Sequence, residues 1–154
     1  GRGRIVQCSS VLGIVAMKFR GAYTASKFAL EGLTDTLRME LRGSGVEVVT
    51  IRPGPIATRF VAHAIEALEA HVDMAASVHA AVYRRRLERL RRGGASRFKL
   101  PPSAVVEKLI VALDAERPRA TYAVTVPTVI MAWARRLLSD TTLSKWAGRL
   151  SDRE

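Results

Sequence analysis

A single cysteine, Cys8, in 154 residues excludes an internal disulfide. Set in the apolar run Ile5 to Cys8, it reads as a small buried hydrophobe in a reducing compartment rather than as a catalytic thiol. No apolar run approaches the roughly eighteen residues that a membrane-spanning helix requires, and no basic and apolar leader opens the chain. A soluble cytoplasmic protein is therefore expected. Histidine is scarce, and His63, His71 and His79 recur every eight residues. On a straight helix eight residues rise about 12 Å, whereas zinc ligands each lie about 2 Å from one ion. These histidines read as surface or lid residues, and no metal is expected. Acidic residues are also few, 14 against 25 Lys and Arg, which leaves a net charge of +11. No internal repeat or low-complexity tract is present, and 48% hydrophobic content suffices for one packed globular unit.

What is present is concentrated in SSVLGIVAMKFRGAYTASK, which holds Ser10, Tyr23 and Lys27. Tyr23 and Lys27 are four positions apart, so a helix puts both side chains on one face about one turn apart. An ammonium held beside a phenol favours the phenolate, which would make Tyr23 a credible general acid/base. Ser10 follows the strand candidate Ile5 to Cys8, so a strand end and a helix start could bring its hydroxyl alongside. Alone, a Tyr four residues before a Lys marks any solvated helix face. The order of the surrounding features carries more: apolar strand, Ser-Ser, small-residue loop, Tyr-Thr-Ala-Ser-Lys, helix, Gly-Ser-Gly, the strand Val46 to Ile51, then Arg-Pro-Gly-Pro-Ile-Ala-Thr.

In that order the chain resembles the short-chain dehydrogenase/reductase family. The runs YTASKFALEGL and PGPIATRF are similar to its hydroxysteroid and retinol dehydrogenase branch. The motif-bearing likeness covers about Arg4 to Phe60. It implies an α/β fold with a doubly wound, Rossmann-like parallel sheet. This chain would supply its C-terminal portion, residues 1–154 forming part of a single catalytic domain with roughly three strands and flanking helices. The resemblance also implies a nicotinamide cofactor, NAD or NADP, and interconversion of a carbonyl and an alcohol on a small molecule. Ser10 would orient the carbonyl, Tyr23 would exchange the proton, and Lys27 would tune Tyr23 and, with it, contact the cofactor. Pro53 and Gly54 would lie in the crevice at the strand ends, with the Ile56 backbone and the Thr58 hydroxyl holding the carboxamide. Thr58 equally suits a helix N-cap.

The family's dinucleotide half should begin with a glycine-rich turn after the first strand, where helix amides receive the pyrophosphate. Gly1-Arg-Gly3 has no preceding strand, and Gly43-Ser-Gly45 reads as a helix C-cap. The residue that separates NAD from NADP and the family's upstream Asn are also missing, so cofactor preference is unread. A chain opening at this strand would leave one edge of the sheet unpaired. The expected context is a longer protein.

Leu30, Leu33, Leu37 and Leu41 recur at helical spacing, with Glu31, Asp35, Arg38 and Arg42 on the other side. The reading is a buried leucine face and a wet charged face. In the family this helix joins subunits, which implies a homodimer or homotetramer. Residues 60–99 would form a helical lid. Within them Arg84, Arg85, Arg86, Arg89, Arg91, Arg92, Arg97 and Lys99 stand against Glu88 alone. Such a stripe can neutralise nucleic-acid phosphates or acidic lipid, but no interleaved aromatics accompany it, and a solvated face before a Gly93-Gly94 loop is expected.

Pro101-Pro102-Ser103 should open a helix through Glu116, with Ser103 capping it, and Ala120 to Val126 should be the last strand. Two amphipathic helices then carry the stripes Ile130, Trp133, Leu137, Leu138 and Leu143, Trp146, Leu150. Packing over the cleft or a subunit contact is expected of them, peripheral membrane contact being the alternative. Apolar Ile14, Val15 and Met17 hint at a hydrophobic substrate, although core packing explains them equally. The competing reading of the whole chain is a non-catalytic interaction module that keeps the association helix, or a basic binder of nucleic acid or membrane surface.

Overall fold

The computed structural model describes residues 1–92 and 98–153. Its strands are β1 (Gly3–Cys8), β2 (Val46–Arg52) and β3 (Thr121–Ala123), all parallel and in the order β1-β2-β3. The helices are α1 (Gly21–Glu40), α2 (Phe60–His71), α3 (Ala80–Arg91), α4 (Ser103–Asp114), α5 (Val126–Leu137) and α6 (Asp140–Arg153). Val48, Val49, Thr50 and Ile51 of β2 are all buried. Such burial requires cover on both faces of the sheet, as parallel sheets have. Thr50 and Arg52 meet α1 through Arg38 and Glu31. Val49 and Ile51 point the other way by strand alternation, toward the side on which α4 packs over β1 and β2. This is the doubly wound layout expected from the sequence.

Gly43 and Gly45 adopt φ of 82° and 85° in the turn that ends α1, the left-handed conformation in which glycine carries no Cβ penalty. β1 pairs with β2 alone among the described residues, so it is an edge strand. Cys8, at its carboxyl end, is accordingly exposed rather than buried. Arg4 of β1 ties the sheet to α4, donating to the carbonyls of Ala112 at 2.7 Å, Leu113 and Ala115 at the helix's negative pole.

Several expectations are corrected. α1 is rotated from its leucine pattern: Thr24, Glu31 and Thr34 are buried, while Leu33 is 56% exposed. The sheet draws the polar side inward. Arg38 Nε donates to Val48 O at 3.0 Å and its NH2 reaches Ala120 O at 3.3 Å, filling the gap below β3, whose pairing with β2 starts only at Thr50. The last strand stops at Ala123, because Val126 and Pro127 open α5, proline being at home in a first turn. Helix α4 ends at Asp114, short of Glu116, and Ser103 does not cap it. Its first amides donate instead to the carbonyls of Pro101 and Pro102.

The C-terminal helices do pack, but each by its own face. Met131, Leu143 and Ala147 bury Val15, with Val11, Ile14, Ala134, Trp146 and Leu150 around them. Val15 and Ile14 therefore belong to the core. In α5 the expected stripe faces outward, Ile130, Trp133 and Leu137 being 49%, 58% and 76% exposed, while Thr128 and Met131 face in. The arginine run is not a uniformly solvated face either. Arg86 donates to Ser151 O at 2.7 Å, Arg89 to Asp152 O at 3.3 Å, and Arg91 pairs with Glu69. Gly93, Gly94 and Arg97 lie outside the described residues. No helix among the described residues is long and apolar enough to cross a membrane.

Candidate active site

The β1–β2 ladder does not end with the strands. Ser9 N–H donates to Ile51 O at 2.8 Å and Val11 N–H to Pro53 O at 2.8 Å. This places Ser10 beside Pro53 and Gly54 at the carboxyl ends of the strands, where open parallel sheets put their ligand crevice. Ser10 then starts the 3-10 turn Val11–Gly13, its Oγ accepting from Leu12 N–H at 3.1 Å. The residue is buried, and its hydroxyl proton is committed to no acceptor among the described residues. Gly13 is required for this turn: a Cβ there would lie 2.6 Å from Ser9 Oγ and 2.9 Å from Glu31 Cγ.

Tyr23 and Lys27 occupy the first two turns of α1, on one face as their spacing demands. Lys27 Nζ lies 5.7 Å from the centroid of the Tyr23 ring and donates to Cys8 O at 3.0 Å. That bond fastens the helix to the end of β1. An ammonium has three donors, so two remain. The Tyr23 ring packs against Phe60, with centroids 5.4 Å apart, while its hydroxyl makes no hydrogen bond among the described residues. Ser10 and Tyr23 are likewise not hydrogen-bonded to each other. The strand end, the start of α1 and the start of α2 thus surround one half-buried phenol.

The segment after β2 is pinned from beyond. Leu100 N–H donates to Pro55 O at 3.1 Å and Ala57 N–H to Leu100 O at 2.9 Å, forming a parallel bridge between Ile56 and Leu100. In such a bridge the central residue's own N–H turns away from the partner strand. Ile56 N–H has no partner among the described residues, and it is a backbone donor suited to an amide oxygen. Thr58 is not the N-cap of α2, a position that Arg59 takes without a side-chain cap; its exposed hydroxyl accepts from Phe60 N–H at 3.3 Å one residue earlier. Gly54 has an intramolecular reason to be glycine: a Cβ would lie 2.1 Å from Thr125 Oγ1 and 2.6 Å from Thr128 Oγ1. Those two hydroxyls are buried and 3.0 Å apart.

Whether a nicotinamide dinucleotide suits these residues is answered by the donors: a free amide at Ile56, two spare Lys27 protons and an uncommitted phenol. They suit its nicotinamide-ribose end, and the pyrophosphate cradle is absent from this sequence. Phe60, Leu100, Thr125 and Thr128 escaped sequence reasoning. Only Phe60 had a signal, as the last residue of the PGPIATRF run. No group of three His, Cys, Asp or Glu side chains among the described residues could hold a metal.

The sequence profile of the short chain dehydrogenase family matches residues 1–69. The chain is 41% identical over 145 residues to the uncharacterized oxidoreductase YbbO of Escherichia coli K12, covering 94% of this chain and 48% of that protein. It is 33% identical over 144 residues to the NADPH-dependent 3-dehydrocapnine reductase of Ornithobacterium rhinotracheale, covering 94% and 49%. The chain therefore spans about half the length of the curated relatives it matches. Among solved structures, it is similar to a short chain dehydrogenase/reductase from Burkholderia phymatum in complex with NAD. There the TM-score is 0.61 and the identity 26%, over 88% of this chain and 46% of that one. A Burkholderia cenocepacia short chain dehydrogenase in complex with NADP shares the fold at a TM-score of 0.60 and 21% identity, over 92% and 45%.

Proposed function

We propose, from the premise that the chain belongs to the short-chain dehydrogenase family, that it carries the catalytic half of an NAD- or NADP-dependent oxidoreductase that interconverts a carbonyl and an alcohol. The observation that carries this reading is the uncommitted Tyr23 phenol beside Lys27, at the strand ends where Ser10 and Pro53 meet. A nicotinamide dinucleotide, when bound, would supply or accept the hydride. Ser10 would donate its free proton to the substrate oxygen and hold it near the phenol. Tyr23 would pass a proton to that oxygen in reduction and take it back in oxidation. Lys27, held beside the phenol by Cys8 O, would offer its spare donors to the ribose. The Ile56 amide would fix the carboxamide, and with it the ring face turned to the substrate.

Titration of NADH and NADPH against the full-length protein tests the reading. One of the two is expected to bind, and Lys27→Ala is expected to weaken that binding by about tenfold or more, the scale of one charge-assisted hydrogen bond. Binding of neither cofactor would refute it.

The outward face of α1 supports self-association. Ala22, Ala25 and Ala29 are exposed there, with Phe28, Leu33 and Met39 39%, 56% and 71% exposed. Small residues let a second helix approach closely, and the larger ones supply apolar area for it. The proposed partner is a second copy of the same chain. In sedimentation velocity the full-length protein is expected as a dimer or tetramer and Leu33→Asp as a monomer; a parent that is monomeric at micromolar concentration would exclude this surface.

A further inference from the structure

Between α3 and the end of α6 lies an open cavity of about 300 Å³, lined by Phe19, Val82, Arg85, Arg86, Arg89 and Asp152. Three guanidinium groups in one hollow repel one another unless something offsets them. The surroundings do so only in part. The Asp152 carboxylate is engaged elsewhere, both of its oxygens accepting from Lys18 Nζ at 2.8 Å. Arg86 and Arg89 donate to the backbone carbonyls of Ser151 and Asp152. Those acceptors contribute only the partial negative charge of a helix end. Arg85 makes no hydrogen bond or ion pair among the described residues. The cavity thus keeps a surplus of positive charge.

It is also shaped in advance. The Arg86 guanidinium carbon lies 4.5 Å from the centroid of the Phe19 ring, which limits the directions its remaining donors can take. Phe19 itself has φ of 63°, an uncommon conformation for a bulky residue that persists only where the surroundings impose it. Phe19 and Val82 make one wall apolar. Phe19 stands one turn's length before Tyr23 in the chain, and the Tyr23 ring meets Phe60 at the start of α2, which packs on α3. Cavity and phenol are therefore joined by the short segment from Phe19 to Tyr23.

We propose that this cavity binds an oxyanion group carried on an apolar stem: the anionic end of the substrate whose carbonyl meets Tyr23. The part concerning the substrate rests on the function proposed above; the anion site itself does not. A planar fork of Arg donors suits phosphoryl, sulfonyl and carboxyl oxygens alike, and the apolar wall takes the stem.

Isothermal titration of octyl phosphate, inorganic phosphate and 1-octanol against the full-length protein tests it. Octyl phosphate is expected to bind one to one, and at least about tenfold more tightly than either of the other two. Arg85→Gln removes a guanidinium that holds nothing else in place, so its thermal melt should match the parent, while its affinity for octyl phosphate should fall by about tenfold or more. Arg86→Lys keeps the charge but loses the fork, and should bind more weakly than the parent. An octanol isotherm equal to that of octyl phosphate, or an Arg85→Gln isotherm equal to the parent's, overturns the anion site. Inorganic phosphate binding as tightly as octyl phosphate overturns the stem-bearing ligand. Tyr23→Phe is expected to bind octyl phosphate as the parent does, so a failure of Tyr23 as the acid/base and a failure of the cavity read out separately.

Discussion

Replacing Tyr23 by Phe in the full-length protein is expected to lower turnover about a thousandfold, within the roughly 10²–10⁴-fold that a positioned general acid/base contributes. The substitution removes one oxygen from a ring whose packing it leaves alone. The contact with Phe60 is between the two rings, tilted 54° to each other, and the Lys27 ammonium is held by Cys8 O rather than by the phenol. The hydroxyl makes no hydrogen bond among the described residues, so no buried partner is orphaned by its loss. Far-UV circular dichroism, the melting temperature and cofactor binding should therefore follow the parent while kcat falls. Turnover within a few-fold of the parent would remove Tyr23 from the proton path, and the function proposed here would need another acid.

The largest effect on stability is expected at Glu31. Its carboxylate is buried and bidentate: Arg52 Nε donates to Oε1 at 2.8 Å and Arg52 NH2 to Oε2 at 2.7 Å. The side chains are 9% and 19% exposed, so water cannot replace either partner well. Glu31→Ala leaves the Arg52 charge unpaired under α1 and opens a space beside Gly13, whose backbone approaches Glu31 Cγ. Breaking a buried pair from one side costs about 3–5 kcal/mol. The lower end applies here, because Arg52 keeps some contact with solvent. About 3 kcal/mol corresponds to a fall in melting temperature of roughly 6–12 °C for a domain of this size. The double variant Glu31→Leu with Arg52→Met should recover most of the loss, since replacing both partners leaves no stranded charge. A Glu31→Ala protein melting within about 2 °C of the parent would show that the pair contributes nothing.

Glu31 also marks where reasoning from sequence stopped. Its 3.6-residue pattern put Leu30, Leu33, Leu37 and Leu41 inside and Glu31 and Arg38 in water, and helix periodicity supports nothing else. Periodicity says that a helix has two faces; it does not say which of several neighbours each face meets. Here the sheet supplies Arg52, the Val48 carbonyl and the Ala120 carbonyl, each of which needs a polar partner. The polar side of α1 turned to them and left Leu33 outside. The α5 stripe failed likewise, because Thr128 and Met131 fit against Gly54 and Val15, where Ile130 and Trp133 do not.

The sequence by itself determined the parts in which chemistry is local. The four-residue spacing of Tyr23 and Lys27 set their common face, Gly43 and Gly45 set the turn that ends α1, and the apolar runs before Ser10 and Pro53 set the parallel strands. Each depends on a dihedral or a helical repeat that neighbouring residues specify. Tertiary structure alone decided that Ser10 and Pro53 meet across a prolonged ladder, that the Ile56 amide is left free by its bridge to Leu100, and that Arg85, Arg86 and Arg89 surround one cavity. These join residues far apart in the chain, and no local preference encodes them; burial of the sheet's two faces and the need of each polar group for a partner bring them together.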